Sequence, residues 1–78
     1  MTWKKVKRIA YENGESTIIY ESDAGHRIES RKRAIPHANR GGHWMHTSYF
    51  LILPDGTEKE YWSLRDAKES AERYEAAK

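Results

Sequence analysis

Residues 49–67 read YFLILPDGTEKEYWSLRDA, and this stretch decides the fold. The apolar run from Tyr49 to Leu53 is unbroken, as expected of a central strand covered on both faces. Pro54-Asp55-Gly56-Thr57 then turns the chain. Proline presets one dihedral, aspartate bonds the backbone ahead of it, and glycine accepts a positive φ. A further strand covers residues 58–62, and Ser63-Leu64-Arg65-Asp66 forms a capping box, with Ser63 as N-cap and Asp66 reaching back from N3. Trp62 and Ala67 occupy the positions of a hydrophobic staple, which would place Trp62 under the helix start. Beyond the cap, Leu64, Ala67, Ala71 and Tyr74 make one apolar stripe, predicting a helix over residues 64–76. Arg65, Lys68, Glu69, Glu72 and Arg73 form its solvated side, with Arg65–Glu69 and Glu69–Arg73 one helical turn apart.

Upstream of this segment the chain reads as strands and turns. Asn13-Gly14, between KRIAYE and ESTIIYE, is the signature of a two-residue type I′ hairpin joining strands near residues 5–12 and 15–21. Ser22-Asp23-Ala24-Gly25 suits a three-residue turn with Gly25 in the left-handed region. A third strand follows at about 26–33 and runs into a loop from Pro36 to Gly42 that lacks any apolar period. The chain re-enters the sheet at Trp44 for a fourth strand, about 44–53. The expected fold is α+β: an antiparallel sheet of about five strands with one C-terminal helix packed on one face, all in a single domain.

Composition is consistent with this. A chain of 78 residues buries roughly 60–65% of its unfolded surface. Leu, Ile, Val and Phe total only 11 residues, but three Trp and five Tyr supply large buried areas per residue. With no cysteine, neither a disulfide framework nor a thiolate metal site is available. Packing or self-association, such as a homodimer, must compensate. No apolar run approaches the roughly 20 residues of a membrane span, and the first residues lack the hydrophobic stretch of a signal peptide, so a soluble cytoplasmic protein without membrane contact is expected.

Net charge is only +2, but it is unevenly spread. Residues 1–45 carry nine Lys/Arg against five Asp/Glu, whereas residues 46–78 carry five against seven. No carboxylate appears from Ser30 through Pro54, a span that holds the segment RKRAIPHANRGGHWMH, Arg31 to His46. A field of this kind attracts phosphate. On the third strand Arg27, Glu29, Arg31 and Arg33 share one face by period 2, with Ile28, Ser30 and Lys32 on the other, and the arginine face is expected to be the outer one. Basic side chains on strands can reach phosphates while a neighbouring ring such as Trp44 stacks on bases. The same charges could instead serve only for solubility or to blunt a sheet edge. Trp3 and Trp62 are both read as structural.

Other chemistry finds little support. His37, His43 and His46 suggest a metal, yet His43 and His46, three residues apart on a strand, face opposite sides, and no carboxylate sits nearby in sequence. No metal or other cofactor is expected. Nor is an enzyme: no nucleophile elbow is present, and Gly41-Gly42 precedes a strand rather than opening a helix.

Within residues 41–75, GGHWMHTSYFLILPDGTEKEYWSLRDAKESAERYE, a Gly-x-Trp strand, a Pro-Asp-Gly turn, a second strand with Lys59 and a Ser-Leu-x-x-Ala-x-x-x-Ala helix follow in order. This segment resembles the arm-type DNA-binding domain of tyrosine recombinases, the phage integrase type, and the related plant ethylene-response domain. The resemblance implies a three-stranded sheet packed on a C-terminal helix, whose exposed face enters the DNA major groove. The matching positions would be Trp44, His46 and Ser48 on the first strand, Lys59 on the second and Arg40 on the preceding loop. Glu58 and Glu60, flanking Lys59, depart from that family's basic hairpin.

The expected function is a small nucleic-acid-binding module, for DNA rather than RNA, docking through a basic sheet face and the 34–43 loop. Its contact residues would be Arg27, Arg31, Lys32, Arg33, Arg40, His43, Trp44, His46 and Lys59. The alternative is a protein-binding module, such as a phage-type inhibitor or accessory factor, that sets an edge strand and the same loop against an acidic partner surface.

Overall fold

Alternation along the strands and glycine at the turns build a five-stranded antiparallel meander in the computed structural model, which describes residues 1–37 and 41–78. The elements are β1 (Trp3–Ala10), β2 (Ser16–Ser22), β3 (Arg27–Pro36), β4 (His43–Ile52), β5 (Glu58–Tyr61) and α1 (Leu64–Ala76). Each strand pairs with its neighbours in the chain, and the C-terminal helix packs against the sheet, giving the expected α+β architecture. The helix lies over β3, β4 and β5. The same side of β1 and β2 carries no covering element among the described residues.

Three connections close in one way. Tyr11 N–H donates to Glu15 O at 2.8 Å, Ser22 N–H to His26 O at 2.9 Å and Leu53 N–H to Thr57 O at 2.9 Å. In each, the glycine just before the closing residue has a positive φ, 86° at Gly14, 85° at Gly25 and 91° at Gly56. The glycine N–H donates back to the first residue of the turn. This is a three-residue hairpin with a glycine bulge. It matches the expectation at Gly25 and corrects it at Asn13-Gly14, since a type I′ turn needs positive φ at both central residues and Asn13 does not have one. Asn13 instead accepts the Glu15 N–H on Oδ1, as Asp55 accepts that of Thr57. Because the turn consumes residues 11–14, β1 runs from Trp3 to Ala10 rather than 5–12. A bulge between Lys5 and Lys7 leaves Val6 unpaired in β1.

Both β3 and the third hairpin differ from expectation in length. β3 continues to Pro36, which pairs with His43, so residues 34–36 belong to a strand and not to a loop. Proline is tolerated there because it sits at a strand end on an edge. β2 stops pairing with β3 at Lys32, and β5 stops pairing with β4 at Tyr49. The β3–β4 hairpin therefore projects as a two-stranded arm, and the molecule measures 48 Å along its long axis against 23 and 19 Å across.

The core lies between the sheet and the helix. Ile28 of β3, Leu51 of β4, Leu53, and Ala67 and Ala71 of α1 are buried, with Trp3, Tyr20, Tyr49, Tyr61, Leu64 and Tyr74 packed around them. Fully burying a side chain such as Ile28 or Leu51 stabilises by about 1.5–3 kcal/mol. The small alanines let the helix approach closely, and the Tyr61 hydroxyl hydrogen-bonds Ser70. The expectation that the Tyr49–Leu53 strand is covered on both faces is corrected. Leu51 is buried by the helix, whereas Phe50 and Ile52 on the outer face are half-buried beneath side chains alone.

The helix begins at the expected residue. Ser63 Oγ accepts the Asp66 N–H at 3.1 Å, the first half of the capping box. The staple does not form: Trp62 is 86% exposed. Register explains why. Tyr61 pairs with Tyr49 and faces the helix, so Trp62 turns to the opposite side of the sheet. At the far end, buried His26 is bonded through Nε2 to Glu75 Oε1 at 2.7 Å and meets the Tyr74 ring edge-on.

Candidate nucleic-acid interface

Pairing register sorts the residues expected to bind into two groups. Arg27, Arg31 and Arg33 of β3, with Trp44, His46 and Ser48 of β4, leave the sheet on the outer face, away from the helix. Lys32, His43 and Lys59 leave it on the helix side, Lys59 because it pairs with Leu51. The grouping of Lys59 with Trp44 and His46 is therefore corrected. Arg40 lies outside the described residues, as does the centre of the expected 34–43 loop. The described part of that connection is closed by the His37 N–H donating to Gly42 O at 3.1 Å, with Gly41 and Gly42 at φ 65° and 72°.

The arginine face exists, but much of its charge is matched. Arg31 donates to Glu29 at 2.8 Å, lies 3.7 Å from Glu58 and stacks 4.1 Å above the Phe50 ring centroid. Arg27 bonds Glu21 at 3.2 Å and approaches Glu29 at 3.9 Å. Glu21 comes from β2 and Glu58 from β5, beyond β4, which a run of like charges along the chain does not reveal, while Glu29 lies between the two arginines on their own strand. Arg33 differs. It donates to Ser16 O and Thr17 Oγ1, each at 2.9 Å, and sits 5.3 Å from the Tyr11 ring, without a carboxylate partner among the described residues. Its nearest acid is Glu15, whose carboxyl Arg33 helps to hold low without forming an ion pair.

Beside Arg33 runs an aromatic row. His46 is its cross-strand partner, and the His46 ring meets Trp44 at 5.6 Å and Trp62 at 6.3 Å, both edge-to-face. Trp44 is 44% exposed. A cavity of about 210 Å³ opens at the end of β5, lined by His46, Thr47, Ser48, Glu60, Tyr61 and Trp62. Trp62, read from sequence as structural, is thus the most exposed ring of the row. The signal for it was the alternation itself: with Tyr61 facing inward, Trp62 had to face out.

The two edges of the arm are unlike. On the β3 edge the Ala34 N–H donates to Glu15 Oε2 at 2.9 Å, and Pro36 has no N–H to offer. The bond from Ala34, helped by Asn13, holds the Glu15 carboxyl below its ordinary value of 4.5. On the β4 edge the backbone groups of Met45 and Thr47 point where β5 would lie had it continued. Their direction follows by period 2 from Leu53, whose N–H bonds across to Thr57. Among the described residues they have no partner.

No group of three or more metal-ligating side chains is gathered among the described residues, and His43 and His46 lie on opposite faces of β4. No helix is long and apolar enough to cross a membrane among those residues. No family model, curated protein or solved structure matches the chain.

Proposed function

We propose that the protein is a small nucleic-acid-binding module that docks through the outer face of the β3–β4 arm. The observation that carries this reading is the row Trp44, His46 and Trp62, both tryptophans exposed, beside an arginine, Arg33, that forms no ion pair among the described residues. Rings of this kind offer bases a stacking platform, and Arg33 supplies a phosphate contact at its border. Arg27 and Arg31 have a lesser part, because their carboxylate partners already offset their charge. DNA is favoured over RNA by the resemblance of residues 41–75.

The test is a titration of labelled duplex and single-stranded DNA at two salt concentrations with the parent, with Arg33→Ala and with the double variant Trp44→Ala, Trp62→Ala. Stacking is worth about 1–3 kcal/mol per base, so the tryptophan variant should lose affinity with little change in salt slope. Arg33→Ala should flatten that slope by roughly one unit. Absence of binding by the parent in low salt would end this reading.

One observation favours a second reading, a protein-binding module. The β3 edge of the arm is closed by Glu15 and Pro36, while the β4 edge at Met45 and Thr47 is open and lies beside the cavity. An extended peptide could add there as a strand in line with β5. Substituting Met45 by proline would remove one of the amides and should abolish such pairing without touching the aromatic row.

A further inference from the structure

A group of cations without ion-pair partners among the described residues lies on the side of the sheet opposite the aromatic row, while Lys4 and Lys7 of β1, likewise unpaired, stand on the outer face. Every carboxylate on a strand, Glu21, Glu29, Glu58 and Glu60, occupies an outer-face position. The helix-side positions of the strands carry none. They carry Lys5, Arg8 and Lys32, which cluster where the helix does not reach. Lys5 pairs with Tyr20 and Arg8 with Ile18, both on β2, and Lys32 pairs with Ser16 on the same strand. From the helix, Lys68 extends over this surface, its Nζ 6.0 Å from the Tyr20 ring centroid. None of the four cations has a carboxylate within ion-pair distance among the described residues. Of the helix acids, Glu75 is bonded to His26 and Lys78, and Glu72, one turn beyond Lys68, forms no ion pair with it.

The shape is a step. Strands β1 and β2 form a floor about 5 Å between strand axes, and α1 rises beside it as a wall about 10 Å across. A flat membrane cannot lie on that floor, because the helix stands above it. A chain one strand wide can. Half-buried Ile18 and Tyr20 give the floor an apolar centre suited to sugar and base edges, and the cations border it on three sides. We infer that this step, formed by Lys5, Arg8, Lys32 and Lys68 around Ile18 and Tyr20, is a second nucleic-acid site that holds the phosphate backbone of a single strand. It rests on the nucleic-acid reading above for its partner, but uses none of the same side chains. Charge complementarity carries it: four unneutralised cations and no acid on the floor among the described residues.

The experiment replaces Lys5, Arg8, Lys32 and Lys68 together by Gln and titrates labelled oligothymidylate at several salt concentrations. The parent, the double variant Trp44→Ala, Trp62→Ala and a polyglutamate competitor of equal charge are measured alongside. Each phosphate of a single strand that is no longer neutralised should lower the salt slope by about 0.7, so the quadruple variant should lose up to about 3 units, while the tryptophan variant keeps the parent slope. An unchanged slope in a folded quadruple variant overturns the step site. If the tryptophan variant has meanwhile lost affinity, the aromatic row remains the binding surface. If the parent binds no oligothymidylate and no duplex, both readings fall together. Equal competition by polyglutamate, relieved by the same four substitutions, would assign the step to an acidic protein partner instead. The four side chains are at the surface or half-buried, and a thermal scan confirms that the variant is folded.

Discussion

Arg31 and Lys32 are consecutive in the chain, and the sheet sends them to opposite faces with different fates. Arg31 lies over Phe50 and reaches Glu29 and Glu58, so its charge is offset within the protein. Lys32 emerges on the helix side beyond the end of α1's cover, among Lys5, Arg8 and Lys68, with no carboxylate partner among the described residues. Around Arg27 and Arg31 the outer face is thus a layer of ion pairs bordered by aromatics, whereas the uncovered part of the inner face carries cations without ion-pair partners among the described residues. A cluster of basic letters in a sequence measures charge, but the register of the neighbouring strands determines how much of it a partner meets.

Stability separates the faces most sharply. Leu51→Ala, on the side the helix covers, should cost about 2–5 kcal/mol in denaturant unfolding, because it opens a cavity under Ala67 and Ala71. Phe50→Ala, one residue away on the outer face, should cost less, since Phe50 is only half-buried. Equal losses would mean that the outer face is also core.

The helix start offers a second comparison. Ser63→Ala should lower stability by about 1 kcal/mol through loss of the bond from the Asp66 N–H. Trp62→Ala, immediately before it, should leave the thermal midpoint near that of the parent, because the ring is 86% exposed. A large effect of Trp62→Ala would restore the staple that the structure lacks.

Arg31→Ala should cost about 0.5–1 kcal/mol, since it removes the close partner of Glu29 and the partner of Glu58, while Lys32→Ala should stay within about 0.5 kcal/mol of the parent. The difference should shrink in high salt. If Lys32→Ala proved the more destabilising, the contrast between the faces would be wrong.

The smallest effect concerns acid. The hydrogen bond from His26, with Lys78 nearby, holds the Glu75 carboxyl below its ordinary value of 4.5. A carboxylate depressed in this way stabilises the fold fully above its unfolded value and loses that contribution as pH falls through the lowered folded value. Glu75→Gln should therefore lower the thermal midpoint most near neutrality and approach the parent below about pH 4.5, so that its midpoint falls less steeply in acid.

Much of the fold was legible without coordinates because the rules involved are local. Glycine before a turn's closing residue, Ser63 ahead of an apolar stripe and period-2 alternation along β3 depend on a few neighbouring residues, and each appears where the chain places it. Alternation also sent Arg27, Arg31 and Arg33 to the outer face, as expected. The departures at Asn13-Gly14 and at the end of β3 are of one kind. Asparagine tolerates either backbone sign, and pairing with residues 43–45 kept Ala34 to Pro36 extended where their own propensities did not.

The sequence by itself determined the number and order of strands, the helix and its first residue, and the presence of a carboxylate-free basic segment. Only the tertiary structure decided which of those charges remain bare. Glu58 reaches Arg31 across β4, Trp62 joins His46 from just beyond β5, and Lys68 meets Tyr20 from the helix, all through contacts between residues distant in the chain. The physical reason is that charge neutralisation and exposure are properties of neighbours in space. The short meander turns fix those neighbours only once register and the helix's placement over β3, β4 and β5 are set.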